Sequence, residues 1–168
     1  MFFFFNTSWI NNFITNNYQS YSKGNTRDII EIKKDNFFLK ILPLICYEII
    51  YTGKIKENNQ LPDLLINISE DAWFGKSIGP FQHFTKAIYR SVEEGLFIAR
   101  SANKGISAFI NPNGKIIKSL ETGEPGNIRL NFPYFHQSTL FSNYGNKIFF
   151  LIILLYIFLI LIFKKTKD

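Results

Sequence analysis

The chain has 168 residues, 46% of them apolar, with a formal net charge of +6 and a single cysteine. One cysteine excludes an intramolecular disulfide, and the length suits one domain with its own core. The positive charge does not argue for nucleic acid: the lysines are scattered, with no basic helix face or zinc or helix-turn-helix signature, and they suit anionic lipid headgroups better.

In chain order, residues 1–20 begin with an apolar stretch too short to span a membrane, followed by Asn, Ser and Tyr, and read as irregular. From Ile29 the pattern becomes strand-like, with a turn at residues 33–36. Residues 37–45 are almost continuously apolar, as in a strand buried on both faces. That run stops at Cys46-Tyr47-Glu48, and residues 47–56 are expected to form a short helix. Residues 63–69 read as a second buried strand, followed by a loop carrying Trp73-Phe74-Gly75 and Gly79-Pro80.

Residues 81–94 have helical spacing, with Phe84, Ala87, Ile88 and Val92 as the inward stripe. Gly95 ends the helix, and residues 96–102 return to a strand. Residues 105–110 and 115–120 flank Asn111-Pro112-Asn113-Gly114 as a hairpin. Residues 127–132 are expected to add one more strand. Interleaved strands and helices predict an α/β sandwich.

Residues 148–163 contain no charged side chain, and Tyr156 is their one polar interruption. At about 1.5 Å per residue the run reaches roughly 24 Å, slightly under a hydrocarbon core. Lys147 and Lys164 flank it and can snorkel to the interfaces. We expect a transmembrane helix over residues 146–164. The lysine-rich tail, residues 165–168, then lies in the cytoplasm and the α/β region on the opposite side.

Cys46 falls where a buried strand gives way to a helix. A nucleophile on such a turn projects from the sheet edge, a helix N-terminus favours a thiolate, and a freed backbone N–H can hold an oxyanion. A packed core cysteine is the alternative at this position. Glu48, two residues on, is close enough to orient a substrate or to contact a neighbouring polar group. A Cys46–His83 pair is conceivable, but His83 sits early in an amphipathic helix and is expected to be solvated or to cap it. His136 lies in a loop near the apolar run and is expected at the interface. No His, Cys and carboxylate cluster has ligand spacing and no glycine-rich phosphate loop is present, so neither a metal nor a cofactor is expected.

Three blocks carry a resemblance. Ile45-Cys46-Tyr47-Glu48-Ile49 resembles the nucleophile motif of the apolipoprotein N-acyltransferases, a membrane branch of the nitrilase, or carbon–nitrogen hydrolase, superfamily. Residues 69–75 (Ser-Glu-Asp-Ala-Trp-Phe-Gly) with 79–83 (Gly-Pro-Phe-Gln-His) resemble a second block of that family. Residues 100–108, continuing to Pro112-Asn113-Gly114, resemble its closing segment. The blocks come in family order, and the resemblance runs from about Tyr21 to the C-terminus.

The resemblance implies a partial αββα nitrilase-like sandwich at residues 21–145, on the periplasmic face of a bacterial inner membrane. It implies that Cys46 takes a fatty acyl group from a phospholipid as a thioester. The acyl group then passes to the amino group of a lipoprotein's diacylglyceryl-cysteine. Tyr47 and Glu48 match motif positions used at the active site, and Trp73 and Phe74 belong to a loop that meets lipid; ordinary aromatic packing is the alternative for the last two.

The family's catalytic set is Glu–Lys–Cys, with the glutamate and lysine well upstream of the cysteine. Residues 1–20 do not resemble those segments, and Glu31, Lys33 and Lys34 fall in the wrong place. Glu70 stands where the family usually has asparagine; a carboxylate there is expected to disturb the site or to face solvent. These departures make the chain read as a fragment, a split gene product needing a separately encoded N-terminal half, or a decayed copy. A small-amide hydrolase shares the Cys46 turn but has no need of the apolar run.

Overall fold

The computed structural model describes residues 27–34, 37–53, 55, 61–131 and 138–165. The expected irregular start, His136 and tail residues 166–168 lie outside them. Six strands form one sheet in chain order: β1 (Ile30–Lys34), β2 (Phe37–Ile45), β3 (Leu64–Glu70), β4 (Phe97–Asn103), β5 (Ser107–Ile110) and β6 (Ile116–Leu120). The central strands β2, β3 and β4 run parallel, and the outer pairs are antiparallel. A parallel pair needs a crossover, and helix α1 (Gly79–Glu94) supplies it between β3 and β4.

Register places the core. Leu42 lies opposite Leu65, Leu65 opposite Ile98, and Ile98 opposite Ile110. Strand side chains alternate, so all four share one face. That face packs with Phe84 and Ala87 of α1 into one buried cluster. Pro80 suits the first turn of α1, and Gly95 closes it at φ +66°. Val92 departs from the expected stripe: it is exposed and lies over the hairpin turn, where a Cβ added to Gly114 would come within 2.8 Å of it.

The opposite face of the sheet is only partly covered: Leu39, Ile41, Leu64 and Phe97 are buried on it, while its edge and its C-terminal end are not. Ile32, Ile45 and Ile68 are all exposed there. A two-sheet sandwich would cover this face, and the described residues contain one sheet. The expected strand at 127–132 does not form over residues 127–131. Instead of a backbone ladder, the Lys118 ammonium of β6 donates to the Arg129 carbonyl at 2.9 Å.

Two helices end the chain, α2 (Leu140–Tyr144) and α3 (Lys147–Lys165). Thr139 caps α2 by accepting from the Ser142 N–H at 2.9 Å, and its hydroxyl donates to the Glu93 carbonyl at the end of α1. Gly53 and Gly145 approach closely: a Cβ added to Gly53 would sit 3.6 Å from the Gly145 Cα. These contacts tie the start of α3 to the body of the fold. Helix α3 is long and apolar enough to cross a membrane, and none of the described residues buries it.

The two faces of β3 make opposite predictions. Leu65→Ala, against α1, should cost about 2–5 kcal/mol, whereas Ile68→Ala, at an exposed position of the other face, should cost no more than about 0.5 kcal/mol. Denaturant unfolding of the two variants in detergent checks this; equal losses would mean that Ile68 is covered as Leu65 is.

Candidate active site

Three parallel strands end side by side, and the residues at their C-terminal edge form the site. Cys46 follows β2, Ser69 and Glu70 end β3, and Asn103 ends β4. Ile45 lies opposite Ile68, so one residue further along Cys46 comes beside Ser69. Their Sγ and Oγ atoms are 3.7 Å apart.

Cys46 has φ +49°. A non-glycine residue in this region carries about 1–3 kcal/mol of strain, which persists only where the surroundings enforce it. Here they do. The Ile45 N–H donates to Glu48 Oε2 at 2.7 Å, and Glu48 Oε1 pairs with Arg27 at 3.3 Å. Asn67 Nδ2 donates to the carbonyls of Leu44 and Cys46 at 3.1 and 3.3 Å. Buried Ile49 anchors the turn from below. The expected helix over 47–56 is a 3-10 helix, Cys46–Ile50, because Tyr51 is already extended. Glu48 thus braces the elbow that presents the half-buried thiol.

Under the elbow lies a buried polar cluster: Asn67, Ser69, Asp71, His83 and Arg100. Asp71 is its centre. Its Oδ2 accepts from Arg100 Nη2 at 2.7 Å, and its Oδ1 accepts from the Ser69 hydroxyl at 2.7 Å. His83 Nδ1 lies 2.9 Å from the same Oδ1. A carboxylate oxygen can only accept, so we assign the imidazole proton to Nδ1. Arg100 Nη1 donates to Asn67 Oδ1, which links the cluster to the carbonyl of Cys46. Gly105 makes room: a Cβ there would sit 2.2 Å from Asp71 Oδ2.

Burial pushes the Asp71 carboxyl up, but the Ser69 hydroxyl, the Arg100 charge and the His83 N–H outweigh it and hold it below the ordinary value. Burial pulls the Arg100 guanidinium down, opposed by the charge of Asp71 and, less strongly, by that of a Cys46 thiolate. His83 is therefore neither solvated nor a cap: it is 3% exposed, and its Nε2 has no hydrogen-bond partner among the described residues.

The aromatic residues divide. Tyr47 is exposed on one side and tilts against the His83 ring, 5.4 Å between centroids. Phe74 meets that ring edge-on at 5.8 Å and packs on Gly79, where a Cβ would come within 2.4 Å of it. With Ile50 and Tyr89 they line a groove of about 450 Å³. Trp73 is 86% exposed and points away from this packing. Glu70 does not face solvent unpaired: it accepts from the Ala72 N–H at 2.9 Å and from Asn103 Nδ2 at 2.6 Å, stapling the Trp73 loop to β4.

Sequence reasoning marked Cys46, Tyr47, Glu48, Trp73 and Phe74 but gave no role to Asn67, Ser69, Asp71 or Arg100. A signal was present, since Asn67 and Arg100 interrupt apolar strands and a buried charge requires a partner.

Because Asp71 is held below its ordinary value, its contribution to stability is complete above about pH 4 and is lost as the pH falls through the lowered folded value. Asp71→Asn should abolish that acid limb and cost about 3–5 kcal/mol at neutral pH by leaving Arg100 uncompensated. Thermal unfolding followed from neutral to acid pH checks both, and an unchanged acid limb would refute the assignment.

Residues 13–129 match the family model described as carbon-nitrogen hydrolase. The chain is 44% identical over 148 residues to an apolipoprotein N-acyltransferase of Rickettsia bellii, covering 88% of this chain and 29% of that protein. It is 45% identical over 135 residues to the one from Rickettsia prowazekii, covering 80% and 26%. The chain thus spans less than a third of the length of these relatives. Among solved structures it is similar to an amidase from Nesterenkonia sp. AN1, at 17% identity and a TM-score of 0.46, over 63% of this chain and 42% of that one.

Proposed function

This chain belongs to the carbon-nitrogen hydrolase family, and from that premise we propose that it is the C-terminal part of an apolipoprotein N-acyltransferase. The observation that carries the reading is Cys46, held at φ +49° where a parallel strand ends. The names of the relatives support the acyl-transfer chemistry.

In this reading Cys46 Sγ adds to the ester carbonyl of a phospholipid and expels the lysophospholipid, which leaves with a proton, forming a thioester. The amino group of a lipoprotein's diacylglyceryl-cysteine then adds to that thioester. An amide forms and the thiol leaves with its proton restored. Tyr47 borders the reacting sulfur, Glu48 holds the elbow, and Trp73 and Phe74 form a lipid-facing loop, of which Trp73 is the exposed member. Helix α3 spans the inner membrane, residues 21–145 stand on its periplasmic face, and the C-terminal lysines lie in the cytoplasm.

A second reading is favoured by one observation. Among the described residues, the carboxylates beside the elbow are committed: Glu48 to the Ile45 N–H and Arg27, Asp71 to Ser69, His83 and Arg100. A base for the thiol and a lysine for the developing oxyanion then come from upstream sequence, on the same polypeptide or on a separately encoded N-terminal half. Without them the chain is a membrane-tethered subunit or remnant.

Acyl trapping separates the two. Expressed in membranes with a phospholipid bearing a clickable acyl chain, a chain that suffices by itself gives a hydroxylamine-sensitive band that Cys46→Ala abolishes. An intact, membrane-bound chain without a band would sink the self-sufficient reading and favour the subunit. The span makes its own prediction: the chain should resist alkaline carbonate extraction, and deleting residues 147–165 should release it.

A further inference from the structure

The mechanism leaves unused a polar group within reach of the sulfur, the buried Ser69 hydroxyl. We infer that Ser69 is a positioning residue for Cys46: its hydroxyl, oriented by Asp71, accepts from the thiol S–H and turns to donate to the thiolate once that proton has left. The inference rests on the reading of Cys46 as a nucleophile and names what aims it.

Ser69 Oγ lies 3.7 Å from Cys46 Sγ, 2.7 Å from Asp71 Oδ1 and 3.4 Å from His83 Nδ1. A serine hydroxyl has one proton and two acceptor lone pairs. In the resting site the carboxylate, the better acceptor at the shorter distance, takes the proton. A lone pair is then left facing the sulfur, and the S–H bond turns inward to meet it. The lone pairs of sulfur consequently face the open side of the elbow, where an ester carbonyl arrives.

His83 does not compete, because its Nδ1 proton is already directed at Asp71 Oδ1. Among the described residues the hydroxyl therefore has two acceptors within reach, Asp71 and the ionised sulfur. Losing the hydroxyl leaves Asp71 with Arg100 Nη2 and His83 Nδ1. The exchange needs the rotation of one O–H bond and no movement of a heavy atom.

The cluster is not the base. The Asp71 oxygens are taken by donors from Ser69, Arg100 and His83, and the nitrogen of His83 nearest Ser69 is the one assigned to Asp71, so neither group presents an acceptor to the thiol proton. To lose that proton the S–H bond swings from Ser69 to a base on the open side, after which the Ser69 hydroxyl turns to the thiolate and holds its direction. Ser69 itself is 5% exposed, so water does not substitute for it.

Cys46 is the sole cysteine, so the S–H stretching band of the full chain reports this one contact. In wild type the band should lie below its free-thiol position, and in Ser69→Ala it should return there. Iodoacetamide alkylation of Cys46 at neutral pH should be about tenfold slower in Ser69→Ala, as expected for removing a hydrogen bond to a charged atom. Ser69→Thr, which keeps the hydroxyl, should restore the rate to within about twofold of wild type. A wild-type band at the free-thiol position, which requires no variant to fold, would overturn the inference. So would equal alkylation of wild type and Ser69→Ala, or a Ser69→Thr protein with native near-UV circular dichroism that is as slow as Ser69→Ala. These readouts involve no lipid, so a failure of acyl transfer leaves them standing.

Discussion

Asp71 and Arg100 meet at 2.7 Å between the sheet and α1, neither side chain reaching solvent, and the arrangement of the sheet's C-terminal edge depends on that pair. A buried ion pair is weak evidence for stability, since desolvation offsets most of the attraction. Its value here is geometric. The guanidinium has a planar fork of donors, and this one bridges Asp71 on one nitrogen and Asn67 on the other. Asn67 holds the carbonyl of Cys46, and Asp71 holds Ser69 and His83. One fork therefore ties β4 to β3 and the residue that follows it, and through Asn67 to the end of β2 at the thiol.

The elbow shows why such over-determination is needed. A left-handed cysteine relaxes unless its neighbours forbid it. Glu48 clamps the preceding amide, Asn67 clamps the carbonyls before and at the turn, and Ile49 fills the space beneath. Stapling by Glu70 has the same character at the end of β3, where it fastens the loop that carries Trp73. A carboxylate that looked foreign to the motif is thus a structural tie.

The sheet is two-faced in its packing. Leu65 and Ile98 on one side are sealed by α1, while Ile45 and Ile68 on the other are exposed. Exposed apolar residues on a partly covered sheet face are the kind of surface that a second layer buries. Helix α3 is a separate apolar surface, helical along its length, of the kind that a bilayer satisfies without any partner chain.

Much of this was readable from residues alone. Strands at residues 37–45 and 63–69, the helix ending at Gly95, the hairpin around Asn113-Gly114 and the apolar terminal helix follow from periodicity and turn chemistry, which are local properties. Placing Cys46 on a strand-to-helix turn, and the three motif blocks, followed from local sequence too. What tertiary structure decided is which distant side chains meet. His83 looked solvated because helical spacing alone does not say that a carboxylate twelve residues earlier will be buried against it; Val92 lies at the edge of the stripe, exposed beside the hairpin turn. The chain segment at 127–131 had strand composition but no ladder partner. Side-chain pairing across parallel strands depends on register, and register is set by the packing of whole elements, so the cluster around Asp71 emerged only with the fold.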